Sequence, residues 1–291
     1  MITRFDHAVI AVRDLDAAIA RFRHLGFDVH PGGRHTGLGT YNAIIRFGLD
    51  YLELLSVADR EEAIAGGPSG QTLVALFDQR AGGLVGYALA TSDIETDAER
   101  FRQTGLEAVG PFPMERLRPD GRLLSWRLLV PSGVSWLRPW PFLIQWDIPD
   151  DERLTWERPG NHPNGTTGVV GISIAVTDLE RGLHLYERQL GLAVQAQDEV
   201  PELTARRARF QLGEFAIDLL APTGDGPVQQ ALEQDGEHPF DVVLQVRDLD
   251  ETRRNLEQSG VALEPAPARA GLLIGPDQAF GARLTLVPAR S

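Results

Sequence analysis

The chain has 291 residues, of which 43% are hydrophobic and 24% charged, and this is long enough for two domains that each bury a core. Its formal net charge of -13 argues against nucleic acid and anionic membrane as main partners, because both would repel it. The lack of cysteine excludes disulfides, thiolate metal sites and cysteine nucleophiles. Since no secretory signal and no membrane-spanning stretch is seen, we expect a cytoplasmic protein.

The first predicted strand, residues 5–12, alternates with period two. His7 shares one face with Val9 and Ala11, and the more apolar opposite face is expected to pack under a helix. An aspartate after the strand caps that helix, which ends at Gly26. The rest of this unit is predicted as a short strand, a glycine-rich loop and a hairpin, at 27–30, 31–39 and 40–47 with 51–57.

A strand that ends in an aspartate and leads into a helix recurs three more times, at 86–93, 171–178 and 241–248. Each copy is followed by further strand patterns, so the chain reads as four strand-helix-three-strand units. Residues 159–168 are mainly Pro, Gly, Asn and Thr without periodicity, which predicts an interdomain linker. The remaining predicted strands lie at 107–110, 123–130, 142–147, 193–198, 205–212, 215–221, 271–274 and 283–287.

Four such units, paired two by two, resemble the vicinal oxygen chelate superfamily, which includes glyoxalase I, bleomycin-resistance proteins and extradiol dioxygenases. Residues 33–42 (GRHTGLGTYN) and 141–147 (PFLIQWD) look like the glyoxalase-like domain subfamily, most of whose members have no assigned reaction. The resemblance implies an α+β fold in which four tandem βαβββ modules pair into two eight-stranded concave-sheet domains. We predict the two domains at 1–158 and 168–291.

The resemblance also implies where a divalent metal would be held. In this superfamily the first and last strands of each module supply its ligands, on the concave face. Position by position, the first domain has His7, Glu53, Gly86 and Gln145 there. Glycine cannot ligate through a side chain, so the implied set is His7, Glu53 and Gln145, which suits zinc, nickel, manganese or iron. Because an amide is a weak ligand, a metal-free pocket lined by hydrogen-bonded His7 and Glu53 stays open, as does a structural ion pair.

The second domain has no imidazole at the four equivalent positions, which are Gly171, Asp218, Asp241 and Thr285. Extradiol dioxygenases of four modules, as the resemblance implies, use two histidines and a glutamate there, so that activity is disfavoured. We expect the second domain to be a structural or dimerising partner, or a degenerate pocket.

Further side chains are predicted to bind substrate in the first domain. Arg34 and His35 lie in the glycine-rich loop and would present a guanidinium and an imidazole to an anionic or carbonyl group, although the loop glycines alone would also explain a turn. If the apolar residues of the next strand face the helix, Asn42 and Arg46 face the concave side. Trp126 is one of several tryptophans suited to wall an apolar pocket or to fill the core.

Two functions follow as hypotheses. The first is an enzyme, of the lyase, isomerase or dioxygenase type, in which His7 and Glu53 act as ligands or as an acid-base pair and Gln145 orients a small molecule. The alternative is a protein of the bleomycin-resistance type that binds a small molecule without breaking a bond. Phosphate-loop, dinucleotide and serine-hydrolase motifs are missing from the sequence. We expect a small-molecule ligand and a monomer or homodimer.

Overall fold

The computed structural model describes residues 1–118 and 121–289 and confirms the α+β class. Two eight-stranded sheets are formed, and the first closes into a barrel. The elements of the first sheet and its helices are β1 (Ile2–Val12), α1 (Leu15–His24), β2 (His30–His35), β3 (Thr40–Arg46), β4 (Tyr51–Val57), α2 (Arg60–Ala65), α3 (Pro68–Gln79), β5 (Gly82–Thr91), α4 (Ile94–Gln103), β6 (Ala108–Leu117), β7 (Leu123–Pro131), β8 (Phe142–Trp146) and α5 (Asp150–Arg153).

The second half repeats this order in a curled, open sheet. Its elements are β9 (Thr166–Ala175), α6 (Leu179–Leu183), a π-helical turn (His184–Gln189), β10 (Val194–Val200), a 3-10 turn (Pro201–Leu203), β11 (Ala205–Leu212), β12 (Phe215–Pro222), α7 (Pro227–Asp235), β13 (His238–Val246), α8 (Leu249–Gln258), β14 (Glu264–Pro265), β15 (Leu272–Ile274) and β16 (Leu284–Pro288).

The strand order of the barrel is β1-β4-β3-β2-β6-β7-β8-β5. Two modules therefore join through two contacts, β1 with β5 and β2 with β6. In the second sheet the equivalent first strands, β9 and β13, are also paired, but β10 and β14 lie at opposite edges and do not meet. Because β2 pairs with β6, the first sheet closes into a barrel. The second sheet stays open because β10 and β14 do not pair.

The repeated aspartates are helix N-caps. Asp14, Asp93, Asp178 and Asp248 each accept a hydrogen bond from a backbone N–H in the first turn of the helix that follows. Such a cap satisfies a donor that has no partner within the helix. The pattern that occurs four times in the sequence is therefore one local structure, a strand followed by a helix with an aspartate N-cap.

The two faces of β1 pack as their alternation predicts. Ala8, Ile10 and Val12 are buried in the core that β1 shares with α1, whereas Val9 and Ala11 belong to the core inside the barrel. The interior of the barrel is therefore reached by the same face that carries His7.

Three details differ from the predictions. Residues 31–35 form part of β2 rather than a loop, because they pair with both β3 and β6. Helices α2 and α3 were not predicted. The segment 159–168 is packed rather than free, since Asn164 donates to the carbonyl of Leu25 at 2.9 Å and Thr166 already begins β9. The predicted bounds of the two domains stay a prediction.

One hydrophobic core runs through both halves. The ring of Phe5 stacks on that of Phe215, with centroids 4.3 Å apart. The buried hydroxyls of Tyr87 and Tyr186 are hydrogen-bonded to each other. Among the described residues, no helix has the length and apolarity needed to cross a bilayer.

Candidate functional site

A cavity of about 380 Å³ lies inside the barrel. Its wall is mainly apolar and aromatic, and Trp126, Trp136 and Phe142 contribute rings to it. Among its few titratable lining residues are His7, His35, Tyr51, Glu53 and Arg116. A largely apolar chamber with a few convergent polar groups is the usual form of a small-molecule site.

Helices α2 and α3 close one side of this cavity, through Ala63, Gly70 and Leu73 among others. The two helices approach closely, because a Cβ on Gly70 would lie 1.8 Å from the carbonyl oxygen of Ala63. Sequence reasoning missed both helices. Their signals were present: the side chain of Asp59 caps α2, and a proline stands in the first turn of α3.

His7 is held from behind by Asp6. The Nδ1 atom of His7 lies 2.7 Å from Oδ1 of Asp6, whose carboxylate is fully buried and also accepts from the indole of Trp146 at 2.9 Å. Burial raises the pKa of Asp6, but the hydrogen bond from His7 and the charge of Arg4 outweigh it and hold that pKa well below its usual range. A fixed carboxylate at Nδ1 orients the imidazole and leaves Nε2 for the cavity side.

Glu53 lies between two imidazoles. Its Oε2 is 3.6 Å from Nε2 of His7, and its Oε1 is 3.8 Å from Nε2 of His35. The side-chain amide of Asn42 donates to Oε1 of Glu53. Nδ1 of His35 is 2.9 Å from the hydroxyl of Thr40. These contacts fix a carboxylate and two imidazoles at one end of the cavity.

His35 is neutral at neutral pH. Burial lowers the pKa of His35 to about 4; the Glu53 charge opposes this change, and the Arg116 charge adds to it. A neutral imidazole both donates and accepts a hydrogen bond, which is the form needed to exchange a proton with a substrate oxygen.

The structure brings together four of the predicted site residues, because His7, Glu53, His35 and Trp126 all line the cavity. Asn42 is buried behind Glu53, to which it donates. The other three predicted residues lie elsewhere.

Arg34, Arg46 and Gln145 do not line the cavity. Arg34 is half exposed and pairs with Glu62 at the rim. Arg46 lies 2.9 Å from Glu157 in a neighbouring recess, which shares Arg116 with the cavity. Gln145 faces outward, where it accepts from the backbone N–H of Ile94 at 2.9 Å. Arg46 nevertheless keeps the predicted face of β3, since its guanidinium lies 4.8 Å from the ring centre of Tyr51. The predicted role of these three side chains in binding substrate stays a prediction.

The register of β8 explains the position of Gln145. The inward residues of this strand are Phe142, Ile144 and Trp146, so their neighbour Gln145 must point to the other face. The Gly86 position is closed as well, since a Cβ there would lie 2.8 Å from the ring of Trp136. Two of the four positions implied for metal ligands thus hold no donor.

The residues present do not fit the implied metal set of His7, Glu53 and Gln145. Within residues 1–118 and 121–289, no group of three or more His, Cys, Asp or Glu side chains is arranged to hold a metal ion.

The concave face of the second sheet satisfies its own polar groups. Asp218 is bound by Arg209 at 2.7 Å and by Arg269 at 3.3 Å. Asp241 accepts a 2.9 Å hydrogen bond from the hydroxyl of Thr285. Burial raises the pKa of Asp241 to about 6. Both carboxylates are therefore bound by side chains of the second sheet itself.

Two pairs of βαβββ units, each pair built into one eight-stranded sheet, define a protein of the vicinal oxygen chelate type. The family model described as glyoxalase-like domain matches residues 5–186 and 172–277, so the chain belongs to this family. No match is found among curated proteins. Membership of the family supports a role in binding or transforming a small molecule.

Two solved structures share the fold over nearly the whole chain. A hypothetical protein from Staphylococcus aureus is 17% identical, with 98% of each chain covered and a TM-score of 0.70. A variant of 4-hydroxymandelate synthase from Streptomyces coelicolor is 14% identical, with 100% of this chain and 94% of that chain covered and a TM-score of 0.68. At such identities the likeness concerns the fold alone.

Proposed function

We propose that the chain is an enzyme that moves a proton on a small carbonyl compound bound inside the barrel, with Glu53 as the general base. The observation that carries this proposal is a carboxylate buried between two imidazoles at the wall of a largely apolar cavity. A carboxylate at the wall of such a cavity can take a C–H proton beside a carbonyl when that carbon is bound within its reach.

The step is balanced without any external oxidant or reductant. Glu53 takes a proton from the carbon next to the carbonyl, and the electron pair moves to the carbonyl oxygen, giving an enolate or enol. In the tautomer in which the hydroxyl of Thr40 donates to Nδ1, neutral His35 carries its proton on Nε2 and can give it to that oxygen. In a hydroxy ketone, return of the proton from Glu53 to the former carbonyl carbon, while the adjacent hydroxyl gives its proton back to His35, completes an isomerisation. Return to the original carbon on the same face regenerates the substrate with an exchanged hydrogen.

His7 supports this chemistry by holding Glu53 in position. Its imidazole connects the buried carboxylate of Asp6 to Glu53, with contacts of 2.7 Å and 3.6 Å. It also stacks on Tyr51, with ring centroids 4.6 Å apart, so its orientation is fixed. A rigid neighbour keeps Glu53 in one position before the substrate binds.

Deuterium exchange tests the proposal. A panel of small 2-oxo acids, hydroxy ketones and aldehydes is incubated in D₂O with the protein, and loss of the C–H signal is followed by proton NMR. We expect wild-type protein to exchange at least one compound and Glu53→Gln to be slower by about 10²–10⁴-fold. The matched control is Glu99→Gln, a half-exposed carboxylate on α4, which should exchange at the wild-type rate.

The alternative, a binding or sequestering protein, has its own outcome. Compounds that co-purify with the protein are identified by native mass spectrometry and are then incubated with it. Recovery of such a compound unchanged, bound equally by wild type and Glu53→Gln, would refute the enzyme and support binding alone. Metal content is measured on protein purified without chelator. A stoichiometric metal that is lost in His7→Ala would show that His7 belongs to a metal site, and would contradict the proposal that Glu53 acts as a metal-free base.

A further inference from the structure

We propose that the ligand of this cavity carries a carboxylate or similar anionic group, and that Arg116 binds it. The inference rests on the proposed function, because it names the class of molecule that the same cavity accepts. Sequence reasoning did not single out Arg116.

The stem of Arg116 passes beside a glycine of the neighbouring strand and reaches the cavity. It lies on β6, opposite His35 of β2. A Cβ on Gly33 would stand 3.2 Å from Cγ of Arg116, so the bare backbone of Gly33 leaves room for the arginine stem. Arg116 is 3% exposed and lines the cavity together with His35 and Glu53.

One N–H group of the Arg116 guanidinium has no partner in the described part of the chain. Within residues 1–118 and 121–289 its Nε is buried without a hydrogen-bond partner. Over the same described residues, the structure records no side-chain hydrogen bond or ion pair for Arg116. A buried arginine that lacks an anion is costly, because it has lost its water without gaining a partner. Such a residue is retained when a ligand supplies the missing charge.

The nearby carboxylates are already engaged. Glu157 is 2.9 Å from Arg46 and 2.6 Å from Arg153. Glu53 accepts from Asn42. Burial lowers the pKa of His35 and raises that of Tyr51, and at both residues the Arg116 charge acts to lower the pKa. The positive charge therefore acts on the cavity wall, and within residues 1–118 and 121–289 no carboxylate is recorded in an ion pair with it.

An anion at Arg116 also fits the proposed reaction. Two parallel N–H groups of a guanidinium match the two oxygens of a carboxylate. With its acid group held there and its apolar body against the aromatic wall, a ligand is fixed in one orientation. The carbon next to its carbonyl is then presented to the Glu53 end of the cavity.

The test compares benzoate with its neutral analogue benzamide, and phenyl phosphate is the second anion. Binding is measured by calorimetry and by tryptophan fluorescence, since Trp126 and Trp136 line the cavity. We expect wild-type protein to bind benzoate at least tenfold more tightly than benzamide. Arg116→Gln should abolish the difference, and Arg116→Lys should keep part of it. Arg102→Gln, an exposed arginine on α4, is the matched control and should behave like wild type.

Stability without ligand gives a second readout. If Arg116 is an unpaired buried charge, Arg116→Gln should melt at the same or a higher temperature than wild type, which also shows that the variant folds. Equal dissociation constants for benzoate and benzamide, or no measurable binding of either anion, would overturn the inference. So would wild-type benzoate affinity in Arg116→Gln.

The two proposals fail separately. Glu53→Gln should keep the preference for benzoate, since it retains Arg116. If that preference is present and no compound exchanges deuterium, the proton-transfer function fails and anion binding stands. If exchange depends on Glu53 but the preference is missing, only the role of Arg116 fails.

Discussion

Asp6 and His7 are neighbours in one strand, and yet their side chains touch. Regular alternation would send them to opposite faces of the sheet. The pairing of β1 with β5 shifts register between Phe5 and His7, so Asp6 occupies a bulge. A bulge re-aims a side chain, and here it places the carboxylate of Asp6 behind His7. No period-two pattern contains that information, which is why the sequence predicted His7 in the site but not its partner.

The role of Asp6 is tested by Asp6→Asn, which keeps the shape of the side chain and removes its charge. The imidazole of His7 then loses the anion that fixes its tautomer, and we expect deuterium exchange to slow by about 10²-fold. The control is Asp150→Asn, because Asp150 also binds Arg4 but does not contact His7. An unchanged rate in Asp6→Asn would show that His7 needs no orienting carboxylate.

Asp241 gives a prediction about pH. Burial raises its pKa from 3.8 to about 6, although Arg269, Thr285 and Arg283 act in the opposite direction and Asp218 reinforces the rise. Between these two values the unfolded chain has lost the proton that the folded chain keeps. Folding stability therefore falls as pH rises through this window, by about 2–3 kcal/mol in all, and the loss is complete above pH 6.

The variant Asp241→Asn stays neutral at every pH. Its free energy of unfolding should exceed that of wild type by about 2–3 kcal/mol at pH 7.5, with the difference shrinking toward zero as pH falls to 4. Urea titrations at several pH values measure this. Glu199→Gln, on an exposed position of β10, should show no such trend. A difference that does not depend on pH would mean that Asp241 does not titrate in this range.

At the scale of elements, the helix pair α2–α3 separates the two modules of the first half and covers the cavity. Gly70 is the point of closest approach, since an added Cβ would meet the carbonyl oxygen of Ala63. Backbone atoms cannot rotate away, so Gly70→Ala should push α3 off α2. We expect a loss of about 1–3 kcal/mol in stability and weaker ligand binding.

Gly66 supplies the matched control for that substitution. It lies in the same helix pair with a right-handed φ of -66°, and the nearest atoms to an added Cβ are 3.4 Å away. Gly66→Ala should therefore leave thermal melting and probe affinity nearly unchanged. If both variants behave alike, the tight contact at Gly70 does not determine how α3 packs on α2 over the cavity.

Local signals predicted the fold well. Alternation and capping aspartates define four strand-helix units, and these depend only on residues close in sequence. Contacts distant in sequence were harder to predict. The inward register of β8 depends on its pairing with β7, and the approach of Arg116 depends on a glycine more than 80 positions earlier in the chain. The prediction therefore included four residues that line the cavity, which are His7, Glu53, His35 and Trp126. It did not include Arg116.

At the scale of the molecule, the two halves share a core across which Phe5 stacks on Phe215 and Tyr87 meets Tyr186. Small units with a common core usually unfold together. The open second sheet then has a structural role, because its apolar face completes the burial of the first half. The barrel that holds the cavity is expected to depend on it.

All five tryptophans lie between positions 126 and 156, in the first half, so tryptophan fluorescence reports on that half alone. Phe215→Ala removes a ring at the junction and should lower stability by about 3–5 kcal/mol. Leu220→Ala acts within the second half, in a separate buried cluster, and should cost about 2–5 kcal/mol. If the halves unfold as one unit, both variants move the fluorescence midpoint in urea to lower concentration, and circular dichroism gives the same midpoint. A fluorescence transition that Leu220→Ala leaves in place would show that the barrel unfolds on its own, and that the second sheet is dispensable for the cavity.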